Sequence, residues 1–318
     1  MLQSDYPRQE NNIMLKRKAY DRLIRWKNQD HKKALCIIGA RQIGKTTIVR
    51  EFAEEYYENF IEINFYEEPE AMKIFSGNLD VDTIITNLTA YTRKLMEPHK
   101  TLVLFDEIQQ FPNIRTAMKF LVADGRFDYI ESSSLLGVNF KEVVSFPVGF
   151  EEVYKMYPMD FEEFLLANGN EELINEIKKC YTNLEPMSDV LHRKALELYK
   201  LYLCIGGMPE AVKNLVTNNK DILKFDSTII SDIIESYLND MTKYVENKAE
   251  TVKIENIYKS VPAQLGNMSN KFQYGKIDSN ARKRDYESSL NWLLSSTMVQ
   301  KSNLLGKVEI PPLRVHYT

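Results

Sequence analysis

The sequence is poor in cysteine and histidine. Its three cysteines, Cys36, Cys180 and Cys204, stand far apart and form no C-x-x-C pair. That spacing excludes a disulfide framework or a cysteine-based zinc site as the organising principle. Cys36 and Cys204 fall inside apolar runs, where a thiol serves core packing. The four histidines, His31, His99, His192 and His316, are scattered without metal-ligand spacing. No stretch approaches about 18 consecutive apolar residues, so neither a spanning helix nor a membrane partner is expected. The opening MLQSDYPRQENNIMLKRKAY lacks the apolar segment of a secretory signal. A formal charge of -4 excludes a generally basic nucleic-acid coat, though not a local basic surface. Internal repeats and low-complexity segments are lacking as well.

What remains is ordinary globular material. The chain is 44% hydrophobic and 27% charged, and its 318 residues suit about two domains with real cores. Residues 13–29 place Ile13, Leu15, Tyr20, Leu23, Ile24 and Trp26 at helical spacing. ALCIIG (34–39), FIEINF (60–65), TLVLFD (101–106) and FDYIESS (127–133) read as strands. Helical patterns from Lys45 through Phe52, over 80–97 and over about 113–123 lie between them. Strand and helix alternate, which predicts an α/β domain with a mostly parallel sheet. Residues 143–169 hold alternating aromatics and then a helix. From 171 to 245 nearly everything is helical, broken at GGMPE (206–210), and 250–305 reads as helix, turn, helix.

One segment carries chemistry. Gly39, Ala40, Arg41, Gln42, Ile43, Gly44, Lys45 and Thr46 match G-x-x-x-x-G-K-[ST] at every fixed position. Such a loop turns successive N–H groups toward phosphate oxygens, and its glycines allow the tight path. The helix that follows offers its positive end to the anion. Lys45 is expected on the β- and γ-phosphates and the Thr46 hydroxyl on magnesium, with Thr47 completing the contact run. Arg41 is open between nucleotide, a neighbouring group and solvent. LVLFDE (102–107) sets two carboxylates at a strand's carboxyl end. Asp106 is expected to hold magnesium, usually through water, and Glu107 to orient or deprotonate the attacking water. A glutamate in that place favours the class with an extra strand between the two motifs, for which FIEINF is the candidate. A nucleoside triphosphate and Mg2+ are thus the expected ligands. The cytoplasm, where ATP is abundant, is the default location.

GARQIGKT, LVLFDEIQQFP, SSSLLG, SFPVGFEEVYKMYPMDFEEFL, GGMPEAV and YLNDMTKY together resemble the AAA-type ATPases with a C-terminal domain of uncharacterised function, close to the archaeal ATPase group. The resemblance runs from about residue 12 to 310. It implies ATP in particular as the nucleotide, and an α/β P-loop NTPase core of the AAA/ASCE type, a helical lid and a winged-helix-like segment. The corresponding divisions are a helical lead-in (1–30), the ATPase core (31–170), the lid (171–245) and the winged-helix-like remainder (246–318). It also implies a γ-phosphate-sensing polar residue at the end of the fourth strand, Ser132 or Ser134, with Ser133 where the family has a small glycine. Gly206, Gly207 and Pro209 match the family's Gly-Gly-x-Pro turn, either a lid element near nucleotide or a plain helix–helix turn. The family continues into a restriction-endonuclease-like domain about where IPPLRVHYT ends, so the expectation is a truncated chain, to which the family's nuclease activity is not carried over. An arginine finger is open among Arg93, Arg115, Arg126 and another subunit of a homo-oligomer. Lys271, Lys276, Arg282, Lys283 and Arg284 surround Phe272 and Tyr274 ahead of a helix. They form either a winged-helix surface for DNA or protein, or a solvated face. Trp292 and Tyr286 read as core residues. The activity so implied is ATP hydrolysis that drives or resets a conformational change. The alternative is a nucleotide-dependent binding switch with negligible turnover.

Overall fold

A computed structural model describes residues 15–77, 79–134, 149–245, 247–267, 271–302, 304–305 and 315–316. Ile13, the SFPV run, the Leu-Leu-Gly that follows Ser134 and most of IPPLRVHYT lie outside the described residues. The chain separates into two compact units, each discontinuous in sequence. One takes the residues up to Asn28 and then Pro158–Ser231; the other takes Gln29–Tyr157 and everything from Asp232 on.

The second unit is built on five parallel strands. These are β1 (Ala34–Gly39), β2 (Asn59–Asn64), β3 (Thr101–Asp106), β4 (Asp128–Ser134) and β5 (Glu151–Lys155), in the order β2-β3-β4-β1-β5. β1 and β3 are buried at every position, as apolar runs covered on both faces require. The strand intervening between the two motif strands is therefore β4. FIEINF lies at the edge, beside β3 only, which corrects its expected place. Strand order depends on pairing between distant segments, and no local pattern reports it. Helices α2 (Lys45–Tyr56), α3 (Val81–Thr92) and α4 (Ile114–Asp124) belong to this unit. Asp80 caps α3 by accepting from the Thr83 N–H, and Gly125, at φ +74°, ends α4 in the left-handed region. One apolar cluster joins Cys36, Ile63, Phe105, Met118 and Tyr129.

A charged pocket interrupts that core. Cys36 and Glu131 are direct register partners on β1 and β4. Their ligand atoms and a Glu151 carboxylate oxygen lie within 4.8 Å of one another. Arg115 on α4 supplies the counter-charge, 3.0 Å from Glu151 Oε1 and 3.6 Å from Cys36 Sγ. Glu131 is wholly buried, and neither of its carboxylate oxygens has a hydrogen-bond partner. Burial, reinforced by Glu151 and opposed by Arg115, pushes its carboxyl up to about 8.

The same unit ends with α9 (Thr228–Tyr244, whose first turn belongs to the other unit), α10 (Lys248–Leu265), α11 (Lys283–Ser295) and a short antiparallel pair, β6 (Leu304–Leu305) and β7 (Val315–His316). Met241, Ile254, Ile257 and Leu293 form their core, with Tyr286 and Trp292 packed against it. Lys271, Lys276, Arg282, Lys283 and Arg284 are exposed around the start of α11.

The first unit packs α1 (Lys18–Lys27), α5 (Phe161–Ala167), α6 (Glu171–Asn183), α7 (Asp189–Ile205) and α8 (Pro209–Thr217). The lead-in helix is held by a nearly buried ion pair: Arg17 Nε lies 3.2 Å from Glu163 Oε1, which also accepts from the Lys18 N–H at 2.7 Å. Glu163 is simultaneously half of a capping box with Asp160. Gly206 ends α7 at φ +79° and Pro209 opens α8, so GGMPE is a helix–helix turn. A Cβ on Gly207 would sit 2.0 Å from the Met159 carbonyl oxygen, which explains the second glycine. Among the described residues no helix is long and apolar enough to cross a membrane.

Candidate nucleotide site

Parallel register brings the strand ends into one row. Gly39 ends β1 opposite Ser134 of β4, and Asn64 ends β2 opposite Asp106 of β3. In such sheets this carboxyl edge is where ligands bind. Residues Gly39 to Gly44 lead from it into α2. Gly39 has no room for a side chain: a Cβ would lie 2.3 Å from the Met156 carbonyl oxygen, and the Met156 N–H in turn donates to the Ile38 carbonyl at 2.8 Å. Gln42 and Gly44 both adopt the left-handed region, at φ +60° and +89°. That alternation is how a loop gathers successive N–H groups into an anion-receiving nest. Gly44 is also the residue before the first turn of α2.

Lys45 is only 6% exposed. Its ammonium donates to the Gly39 and Ala40 carbonyls at 3.1 and 2.8 Å. Burial pulls its pKa down against the opposing pull of Glu107 and Asp106, and Arg41 adds to the lowering. Asp106, 3% exposed, draws the distant segments together. Its carboxylate accepts from Thr46 Oγ1 at 3.0 Å, from Asn64 Nδ2 at 3.2 Å and from the Ser132 hydroxyl. Thr47 continues α2 one residue further on.

Glu107 leaves β3 in the left-handed region, at φ +55°, and the 3-10 turn Ile108–Gln110 then folds Gln109 back. The Gln109 amide N–H group donates to the Glu107 carboxylate and, at 3.0 Å, to Ser134 Oγ; Ser133 Oγ donates to the Gln109 carbonyl at 2.9 Å. Burial, with Asp106 close by, raises the Glu107 carboxyl, while Lys45, Gln109 and Arg41 hold it back. The two serines therefore differ: Ser132 binds Asp106, whereas Ser134 belongs to the Gln109 network.

Comparison with known proteins places this arrangement. Residues 31–165 match the family model of an AAA domain. The chain carries an AAA domain. Downstream, residues 196–308 match the model of a domain of unknown function, which takes in α8 to α11. No curated protein matches the chain in sequence. Among solved structures the chain is similar to a Walker-type ATPase of Pyrococcus abyssi, at 13% identity, covering 92% of each chain, with a TM-score of 0.49. It is also similar to the RuvB Holliday junction branch migration motor of Thermotoga maritima, at 11% identity over 89% of this chain and 88% of that one, with a TM-score of 0.41. A third is the Aeropyrum pernix Orc1 protein in complex with DNA, at 12% identity over 93% and 88%, with a TM-score of 0.35. The parallel sheet with its phosphate loop is the P-loop NTPase fold that the AAA domain implies.

Sequence reasoning missed four residues around the AAA site. Asn64 and Gln109 sit at a strand end and in a turn, where polar residues are common, and only register makes them partners of Asp106 and Glu107. Tyr237 and Asp240 come from α9. The Tyr237 hydroxyl donates to the Arg41 carbonyl at 2.7 Å, and Arg41 Nη1 donates to Asp240 Oδ1 at 2.7 Å. Arg41 is thus paired with a residue 199 positions away. Of the arginines considered as a finger, Arg115 is committed to the buried Glu151 pair, and Arg126 binds Asp124 and Asp82.

Proposed function

We propose that this chain binds ATP with magnesium through residues 39–47 and hydrolyses it, using the turnover to drive or reset a conformational change. The observation that carries this is the Asp106 carboxylate, where Thr46 from the loop and Ser132 from β4 converge beside a buried Lys45. The donor set fits a hard cation: a threonine hydroxyl and a carboxylate are oxygen ligands of the kind magnesium takes. Thr46 and Asp106 would hold it, and when bound it neutralises charge on the β- and γ-phosphate oxygens.

The residues divide the remaining work. The N–H groups of the loop and the first turn of α2 receive phosphate oxygens. Lys45, already desolvated, exchanges its carbonyl partners for phosphate oxygens, a stronger charge-assisted contact. Glu107 accepts a proton from, or aligns, the attacking water. Its raised proton affinity suits a base better than an ordinary surface carboxylate would. Gln109 fixes the direction of that carboxylate, and Ser134 fixes Gln109. Ser132 steadies Asp106, and through it the metal position.

A steady-state phosphate-release assay tests the proposal. Wild type is expected to turn over. Lys45→Ala is expected to lose about 10- to 100-fold in nucleotide affinity, the worth of a charge-assisted phosphate contact. Glu107→Gln should keep affinity while losing about 100-fold or more in rate. Equal rates in all three proteins would refute it.

A further inference from the structure

The outside of the phosphate loop is gripped by a helix from the domain of unknown function. Tyr237 and Asp240 are 7% and 5% exposed and lie one turn apart on α9. Tyr237 takes the Arg41 carbonyl and Asp240 takes the Arg41 guanidinium. Further along the same side, Lys243 Nζ stands 5.1 Å from the Tyr66 ring, just past the end of β2. Helix α9 therefore touches the loops that follow two of the site's strands.

The carbonyl contact has a stereochemical effect on the opposite side of the peptide. In a planar trans peptide the C=O of one residue and the N–H of the next point in opposite directions. With the Arg41 carbonyl held toward Tyr237, the Gln42 N–H is directed away from α9. Gln42 is also the non-glycine residue of the loop in the left-handed region, a conformation that costs energy and persists only where its surroundings impose it. Asp240 adds a second anchor on the same residue. Its other oxygen, Oδ2, is buried without a hydrogen-bond partner, so the carboxylate is kept there for Arg41 at some cost.

We infer that Tyr237 and Asp240 are positioning residues for the phosphate loop, so that nucleotide affinity and order in α9 are coupled. The inference rests on the nucleotide function proposed above. It gives the domain of unknown function a defined role, which is to hold the Arg41–Gln42 peptide in its anion-receiving direction. Coupling of this kind is reciprocal, so bound nucleotide must protect α9 as much as α9 favours nucleotide.

The test uses the full chain. Calorimetric titration with MgATP, steady-state kinetics and amide hydrogen exchange are compared for wild type, Tyr237→Phe and Asp240→Ala. Tyr237→Phe removes one neutral hydrogen bond, so Kd and KM should each rise between about 2- and 12-fold, with kcat at saturation within about twofold. MgATP should slow exchange in α9 of wild type and do so less in either variant. A purely structural role would lower the melting temperature and leave Kd and KM of the folded variants untouched. That result, or nucleotide-independent exchange in α9 of a wild type that binds MgATP, overturns the coupling and leaves the nucleotide function standing. A flat titration of well-folded wild type removes both.

Discussion

Glu107 is the residue whose environment makes the sharpest demand on the chemistry. Burial and the neighbouring Asp106 raise its carboxyl, and Lys45 opposes them. A base must be ionised to act, so turnover should fall as pH drops through a value above the ordinary 4.5. The acid limb of kcat/KM against pH checks this: it should lie above the usual carboxylate range and vanish in the residual activity of Glu107→Gln. Thr46, Lys45, Asp106 and Glu107 could all be named from spacing, because each is bound to a fixed offset within a short motif. Asn64 and Gln109 could not. Their residue types are unremarkable where they stand, and their meaning comes from strand ends separated by tens of residues.

At the level of the element, the link between β1 and α2 depends on close backbone approach. Gly39 faces the Met156 carbonyl at 2.3 Å from where a Cβ would be, and backbone cannot move aside as a flexible side chain can. Gly39→Ala should destabilise the protein by about 1–3 kcal/mol, the usual cost of overpacking a fitted site. A lowered urea midpoint, with weaker MgATP binding in the protein that remains folded, is the expected result. The motif requires glycine at this position, but the neighbour that enforces it is Met156, from a segment that by itself read only as alternating aromatics and then a helix. Helices α1 and α5 make the same point. Their amphipathic patterns are local, while Glu163, which both caps α5 and binds Arg17, joins segments 146 positions apart.

Across the whole molecule, the buried Glu131 should leave a mark on stability. Its folded value of about 8 lies above the ordinary 4.5, so the folded state holds a proton that the unfolded state releases. Stability is then lost as pH rises from about 4.5 to about 8 and levels beyond. Urea midpoints between about pH 5 and about pH 8 should fall less steeply in Glu131→Gln than in wild type. The readout is the slope, which a packing penalty from the amide would leave alone. The sequence by itself determined the first four strands of the sheet to within a residue, the α/β class and the phosphate loop, because burial on both faces and motif spacing are written into short windows; β5, half exposed along its length, was not among them. Only tertiary structure decided that β4 lies between the motif strands, that Arg115 answers Glu131 and Glu151 inside the core, and that α9 grips Arg41. Each of these is a pairing between distant segments, chosen by register and charge compensation after the chain has closed on itself.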